Sequence, residues 1–223
     1  MKNLKEVPKL KPDKNSMLLY VVTDRTWLNG EDLATQVEEI IKNGATFIQL
    51  REKDMPFDEF LAEAKKIKAI TDKYKVPFVI NDNIEIAKAI DADGVHIGQS
   101  DIEAKRAREI LGKDKIIGIS AGNLEEALTA QKNGADYIGV GAMFHTDTKK
   151  NATSVTYSQI HEITDSVNIP VVAIGGINKD NIMQLKGTGV DGIAVISAIF
   201  AAQNKAQATS EHLKLSKEMI KND

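Results

Sequence analysis

The chain reads as an α/β protein, a single-domain (β/α)8 TIM barrel, and three observations predict this. Eight short β-rich runs alternate with longer helical patterns, as parallel strands joined by crossover helices require. A short repeat separates helix from strand, as Asn43-Gly44-Ala45, Asn133-Gly134-Ala135 and Thr188-Gly189-Val190. Glycine there suits the left-handed position that ends a helix. Polar residues also gather where the strand runs stop, which is where barrels of this class build their sites. No Gly-x-Gly-x-x-Gly follows the first run, which weakens an open dinucleotide-binding sheet.

Taken in order, residues 1–16 form a polar stretch bearing Lys2, Lys5, Lys9, Lys11 and Lys14. They read as a flexible extension ahead of a barrel domain spanning 17–223. Strands are expected at Leu18–Thr23, Thr46–Arg51, Pro77–Asn81, Gly94–Ile97, Ile116–Ser120, Tyr137–Val140, Val171–Ile174 and Gly192–Ile196. Each is a short run of the kind that is buried in a parallel sheet. Helical patterns occupy Glu31–Asn43, Phe57–Tyr74, Ile84–Ile90, Asp101–Leu111, Leu124–Asn133, Tyr157–Ser166 and Asn178–Lys186, and a final helix closes the chain. Asp93, Asp136 and Asp191 each stand just before a strand.

The 223 residues are 42% hydrophobic and 27% charged, enough for one domain with a sizeable core. A net charge of −3 gives no nucleic-acid footprint, so any basic site is local. The absence of cysteine excludes disulfides, thiolate nucleophiles and cysteine-held metals. No apolar run reaches the roughly 18–20 residues of a membrane span. No apolar segment follows the N-terminal lysines as in a secretory signal, so a cytoplasmic enzyme is the default expectation. The sequence is compatible with a homo-oligomer and leaves the oligomeric state open.

Gln49-Leu50-Arg51-Glu52-Lys53 is the most informative stretch. If the extended form continues past the second strand, Gln49, Arg51 and Lys53 share one face. Two adjacent cations are costly to bury unpaired, which points to an anion such as a diphosphate. The pentapeptide reads equally as a solvated strand end with Glu52 paired to a neighbour. Asn81 and Asp82 close the third strand, and Asp101 follows the fourth. Either carboxylate could cap the next helix. Beside Arg51 and Lys53, the pair reads better as ligands of a hard divalent cation, since Mg²⁺ takes carboxylate and phosphate oxygens.

Gly175-Gly176 follows the seventh strand and leads toward the helical pattern at Asn178. Glycine lets backbone approach an anion, and loops after the last two strands of such barrels commonly bind phosphate. Ile196-Ser197 ends the eighth strand at the same place. The segment Phe144–Lys150 gathers hydroxyls, backbone donors and lysines that could wrap and close over a phosphate, although such loops are usually just solvated. Gly118, Gly139 and Gly141 either leave room for a planar ligand or permit close backbone packing. Ser120 closes the fifth strand. His96 and His145 lie near the rim, without the partners of a metal or triad motif.

These motifs resemble, in order, those of the thiamine phosphate synthases. The likeness rests on Tyr20-Val-Val-Thr-Asp24, Gln49–Lys53, Asn81-Asp82, Asp93-Gly-Val-His-Ile-Gly-Gln99 with Asp101, and Gly118-Ile-Ser120. It continues through Gly134–Gly139, Thr146-Asp-Thr-Lys-Lys150, Ile174-Gly-Gly-Ile177 and Val195-Ile-Ser-Ala198. The resemblance implies a (β/α)8 enzyme that joins an aminopyrimidine diphosphate to a thiazole phosphate with Mg²⁺, releasing pyrophosphate. Its partners would be those two small phosphorylated substrates, with no nucleic acid and no membrane. It further implies that Gln49, Leu50, Arg51, Glu52, Lys53, Asn81, Ser120 and Lys149 meet the pyrimidine diphosphate. Arg51, Lys53, Lys149 and Ser120 would be the catalytic group, and Asp82 and Asp101 would hold Mg²⁺. Thr146, Thr148, Gly176, Ile196 and Ser197 would meet the thiazole phosphate, and Asp147 would also bind substrate.

Three positions depart from the family pattern: His145 stands for a usual proline, Ser100 for an acidic residue and Thr156 for a glycine. A related thiazole tautomerase remains an alternative, although its characteristic histidine would fall at Ala142. A non-catalytic phosphate-binding barrel is the other alternative.

Overall fold

The computed structural model describes residues 12–98, 101–146 and 154–221, with backbone alone at 101–103. The first half runs β1 (Leu19–Val22), α1 (Leu33–Lys42), β2 (Phe47–Leu50), α2 (Phe57–Tyr74), β3 (Phe78–Asn81), α3 (Ile84–Ala89), β4 (Gly94–Ile97) and α4 (Asp101–Leu111). The second runs β5 (Ile116–Ala121), α5 (Leu124–Lys132), β6 (Tyr137–Val140), α6 (Tyr157–Ser166), β7 (Val171–Ile174), β8 (Gly192–Val195), α7 (Ser197–Phe200) and α8 (Lys205–Met219). The strands pair in chain order and β8 closes on β1, giving the expected (β/α)8 barrel.

Alternation along each strand divides the core into two layers. Leu19, Val21, Ile48, Leu50 and their counterparts face outward and pack under the helices. Tyr20, Val22, Phe47, Val79, Ile116, Tyr137, Val172 and Ala194 fill the barrel itself. The filling is aromatic at its centre, with Tyr20, Phe47 and Tyr137 ring centroids 4.5–5.7 Å apart.

The repeat in the sequence has a physical cause at the N-terminal face. Gly44 follows α1 and Gly134 follows α5 with φ of 117° and 87°, the left-handed geometry that ends a helix. One side-chain oxygen then precedes each even-numbered strand and accepts the N–H at the start of the strand before it. Thr46 Oγ1 takes Leu19 N at 2.8 Å, and Asp93 Oδ2 takes Phe78 N at 2.9 Å. Asp136 Oδ2 takes Ile117 N, and Asp191 Oδ2 takes Val171 N, both at 2.9 Å. Without this acceptor, an N–H at the start of each odd strand would be a buried orphan.

Helix starts carry their own caps. Asp32, Asn83, Asn123 and Asn204 each accept a backbone N–H of the first turn. Thr156, where a glycine is usual, caps α6 in a reciprocal box with Gln159. The helix expected over Asn178–Lys186 does not form; its place holds a turn and a short 3-10 helix, Ile182–Leu185. Asn178 Oδ1 accepts from Asp180 N and Asn181 Oδ1 accepts from Asn178 N, so both side chains occupy donors a helix would use. Within the expected extension, Asp13 and Ser16 close a turn by two bonds of 2.7 and 2.9 Å, and Lys14 pairs with Asp191 at 2.8 Å. Residues 1–11 lie outside the described residues.

Candidate active site

The C-terminal ends of β2 to β5 bring Gln49, Asn81 and Ser120 around the barrel mouth. β2 stops at Leu50, so Arg51, Glu52 and Lys53 belong to the loop that follows rather than to the strand. That loop is tied at its first residue, where Arg51 N donates to Thr23 Oγ1 at 3.0 Å. Arg51 is half-buried and Lys53 exposed.

Two members of the pentapeptide turn away from the mouth. Leu50 is fully buried in the outer layer under the helices. Glu52 has only 7% of its side chain exposed and accepts from Arg25 Nε at 2.7 Å, while Arg25 Nη2 reaches Glu63 at 3.1 Å. Burial lifts the Glu52 carboxyl above its ordinary range although Arg25 pulls it down. Against its own partial burial, Arg25 is held more firmly protonated by the two carboxylates. Any ligand contact by Leu50 or Glu52 therefore comes from the backbone. This clamp also shows that pairing of Glu52 and an anion site at Arg51 and Lys53 are compatible.

Asp82 is not a helix cap. Asn83 caps α3, its Oδ1 accepting from Ile86 N at 2.9 Å. Asp82 instead has φ of 59°, a left-handed backbone that is uncommon for a residue with a side chain. Its N–H donates to His96 O at 2.9 Å, and its exposed carboxylate accepts from Asn81 Nδ2 at 2.7 Å. A strained, exposed carboxylate with no capping duty fits the oxygen donor that a hard cation needs. Asp101 begins α4, but its side chain lies outside the described residues. Among the described residues, no three acidic or histidine side chains converge as a metal site.

Inside the mouth, Gln49 is 5% exposed and both ends of its amide are engaged. Oε1 accepts from Tyr20 Oη at 2.6 Å, and Nε2 donates to Asn81 Oδ1 at 2.6 Å. His96 spans Tyr137 Oη at 2.9 Å and Ser120 Oγ at 3.1 Å. The room at two of the strand glycines is taken by these side chains. A Cβ at Gly118 would lie 2.1 Å from Tyr137 Cζ, and one at Gly139 would lie 3.4 Å from His96 Cε1. A Cβ at Gly141 would meet Ile174 O at 2.1 Å. Gly118 and Gly141 thus serve close packing, whereas Gly139 would admit a Cβ at ordinary contact distance from His96.

On the far side, Gly175 and Gly176 take φ of 102° and 64°. A Cβ at Gly175 would strike Ala142 Cα at 2.6 Å, and one at Gly176 would strike His145 O at 2.3 Å. The glycine pair seats the loop after β7 against the loop after β6, where Phe144 N donates to Gly175 O at 3.0 Å. No α-helix follows, so the helix N-terminus expected to present N–H groups beyond Gly176 is absent there. Ser197 opens the short α7 directly after Ile196, at the neighbouring strand end. Thr146 is half-buried on the β6 loop. Asp147, Thr148 and Lys149 lie outside the described residues.

Tyr20 and Tyr137 were not among the expected site residues, yet they join Gln49 to His96 through a hydroxyl contact of 2.7 Å. Gly118 is paired in register with Tyr137, and a glycine beside an inward aromatic is the signal that could have found them.

The description "Thiamine monophosphate synthase" belongs to the family model that matches residues 19–199. A thiamine-phosphate synthase of Clostridium botulinum (strain Eklund 17B / Type B) is 53% identical over 193 residues, 86% of this chain and 91% of that protein. One from Clostridium acetobutylicum is 56% identical over 185 residues, 83% of this chain and 88% of the other. A solved thiamine phosphate pyrophosphorylase from Pyrococcus furiosus superposes with a TM-score of 0.85 at 43% identity, covering 93% of this chain and 99% of its own. The family model spans the barrel from its first strand to the short helix that follows its eighth. The chain belongs to the thiamine monophosphate synthase family.

Proposed function

We propose that this enzyme joins 4-amino-2-methyl-5-(hydroxymethyl)pyrimidine diphosphate to 4-methyl-5-(2-phosphooxyethyl)thiazole, giving thiamine phosphate and pyrophosphate. The carrying observation is identity above one half to thiamine-phosphate synthases over about nine-tenths of their length. The thiazole tautomerase alternative is disfavoured by the same relatives and by Ala142, buried where its histidine would stand.

The barrel divides the two substrates. Strands β2 to β5 supply Gln49, Arg51, Lys53, Asn81 and Ser120 to the pyrimidine diphosphate, joined by Lys149. Strands β6 to β8 supply Thr146, Asp147, Thr148, Gly176, Ile196 and Ser197 to the thiazole phosphate. Asp82 and Asp101 would hold Mg²⁺, which when bound neutralises charge on the diphosphate.

By family resemblance the reaction is dissociative. Pyrophosphate departs with the C–O electron pair, and the aminopyrimidine ring stabilises the methylene cation. The thiazole nitrogen then donates its lone pair to form the C–N bond. No protein nucleophile is needed. Arg51, Lys53 and Lys149 stabilise the departing charge, and the two loops hold the thiazole in line. Mixing both substrates with the enzyme over a Mg²⁺ titration and following pyrophosphate release tests this. Expected is release that depends on both substrates and saturates with Mg²⁺; no release with both present would overturn the assignment.

A further inference from the structure

The segment just after β1 holds the loop that carries Arg51 and Lys53, and none of its residues meets a substrate in the reading above. Thr23, buried, holds that loop by its backbone: its N–H donates to Gln49 O at 2.9 Å and its Oγ1 accepts from Arg51 N at 3.0 Å. Asp24 turns the chain, its Oδ1 accepting from Thr26 N at 2.8 Å to cap the 3-10 turn Arg25–Trp27. Arg25 then reaches back, with Nε donating to Glu52 Oε1 at 2.7 Å and Nη2 to Glu63 Oε2 at 3.1 Å. Glu63 lies on α2, so one guanidinium ties the loop to the helix that follows it. The two carboxylate side chains are 7% and 11% exposed, whereas Arg25 keeps 36%. Among the described residues, Glu63 Oε1 has no hydrogen-bond partner. An apolar contact would join loop to helix without that cost, so fastening alone does not account for two carboxylates and a guanidinium here.

We propose that Arg25 is a positioning residue for the diphosphate site: it fixes the backbone between Arg51 and Lys53 and keeps the Glu52 carboxylate from pairing with those two cations. Glu52 is the chain neighbour of both, so it competes with a ligand wherever it is free to turn. A carboxylate that turned toward them would neutralise the charge a diphosphate needs and would have to be displaced on binding. Arg25 prevents this with charge-assisted bonds from a planar fork, directed away from the mouth. Arg25 touches no substrate in this scheme and acts through Glu52. The inference rests on the pyrimidine diphosphate reading above for its ligand; the brace itself does not.

The test is binding of inorganic pyrophosphate to the full-length enzyme in Mg²⁺ buffer, by calorimetry, beside steady-state kinetics with both substrates. Arg25→Ala should weaken pyrophosphate binding about tenfold and raise KM for the pyrimidine diphosphate by a similar factor, with KM for the thiazole phosphate within about twofold of wild type. Arg25→Gln, which keeps length and loses charge, stands in should Arg25→Ala fail to fold, and the same loss is expected. Adding Glu52→Gln to either variant removes the freed charge and should regain about threefold of the lost pyrophosphate affinity. Arg108→Ala is the structural control: it removes a guanidinium bonded to Gly112 O and Asp136 Oδ2 at 3.1 and 2.8 Å, far from the mouth, and should leave pyrophosphate binding and both KM values unchanged. Wild-type pyrophosphate affinity in the folded Arg25 variant overturns the proposal. An equal loss in Arg108→Ala would mark Arg25 as merely structural and overturn it too, and no recovery with Glu52→Gln overturns the shielding of the cations. Weakened pyrophosphate binding in the variant, where the wild-type enzyme does not turn over the pyrimidine diphosphate, would sink the substrate reading and leave the brace standing.

Discussion

Gly118→Ala tests the packing on which the barrel interior depends. A Cβ at Gly118 lies 2.1 Å from Tyr137 Cζ, 2.2 Å from its Oη and 2.4 Å from its Cε1. Ordinary contact begins at 3.4 Å, so the ring must retreat by the difference, roughly 1.3 Å. It has nowhere easy to go: Tyr137 is fully buried, with the Phe47 and Tyr20 centroids 5.5 and 5.7 Å away. Retreat also strains the hydroxyl bonds to Tyr20 and His96, at 2.7 and 2.9 Å. Overpacking costs about 1–3 kcal/mol and each lost bond about 1 kcal/mol, so the expected destabilisation is about 3–5 kcal/mol. Urea unfolding should show a lower midpoint at unchanged slope. Gly139→Ala is the control, because its Cβ would meet His96 only at 3.4 Å, and it should cost about 1 kcal/mol or less. In Gly118→Ala/Tyr137→Val the steric part should vanish as a coupling between neighbours. Gly118→Ala within about 1 kcal/mol of wild type, or Gly139→Ala equally damaging, would refute the reasoning.

Asp82→Ala and Arg51→Ala should each lower turnover at least about tenfold, or about 1.4 kcal/mol in the barrier, with circular dichroism unchanged; wild-type rates in both would remove them from the site. Arg108 donates to Gly112 O, Lys115 O, Gly134 O and Asp136 Oδ2 at 3.1, 2.7, 2.9 and 2.8 Å, far from the mouth. With its side chain 26% exposed, Arg108→Ala should cost about 2–3 kcal/mol in urea while kcat at low temperature is unchanged; a large kcat loss would argue against the separation. Burial raises the Tyr20 and Tyr137 hydroxyls well above the range of free tyrosine. The folded state then keeps protons that the unfolded chain releases near pH 10, so this stability is present below pH ~10 and is lost as pH rises beyond it. Unfolding midpoints measured from pH 8 to 11 should fall less steeply in Tyr137→Phe than in wild type, and identical slopes would contradict the burial argument.

The fold was legible because the barrel meets the same local problem at several of its helix-to-strand junctions. Those turns from helix to strand use the same few residue types, so Asn-Gly before Ala, and Asp before a strand, stand out without any knowledge of the tertiary contacts. The segment at Asn178 was misread as a helix because its apolar spacing suits one, while the competing bonds of Asn178 and Asn181 are visible only in three dimensions. Within the site, residue type pointed to Arg51, Lys53 and Asp82, since charge at a strand end is legible. Orientation was not. Leu50 and Glu52 turn outward because the β-strand alternation and the Arg25 clamp set their direction, and Arg25 lies far away in sequence. The polar chain through Tyr20 and Tyr137 was hidden because tyrosine in a strand is an ordinary core residue. Only the strand register shows that both hydroxyls meet at the barrel axis.

The two ends of the barrel obey different rules, and this separates fold from function in the same residues. At the N-terminal face, Thr46, Asp93, Asp136 and Asp191 perform one task, accepting an N–H at the start of the preceding strand, and so resemble one another. At the C-terminal face no two strand ends are alike: cations follow β2, an amide and a carboxylate close β3, a hydroxyl lies on β5, and glycines follow β7. Ring closure asks the same thing of alternate strands, whereas the two phosphorylated substrates proposed above would ask something different at each strand. Repetition therefore marks what holds the barrel shut, and its breakdown marks the face where the proposed substrate contacts lie. The interior hydrogen-bonded chain, from Asp82 through Asn81, Gln49, Tyr20, Tyr137 and His96 to Ser120, belongs to neither end alone. Its middle, Gln49, Tyr20 and Tyr137, is buried like the structural layer, yet it begins at Asp82 and finishes at Ser120, both at the mouth. A core made only for stability could be filled with apolar side chains at no polar cost, since every buried hydroxyl and amide must find a partner. That this barrel instead spends its centre on six linked polar contacts is best explained by what lies at the two ends of the chain.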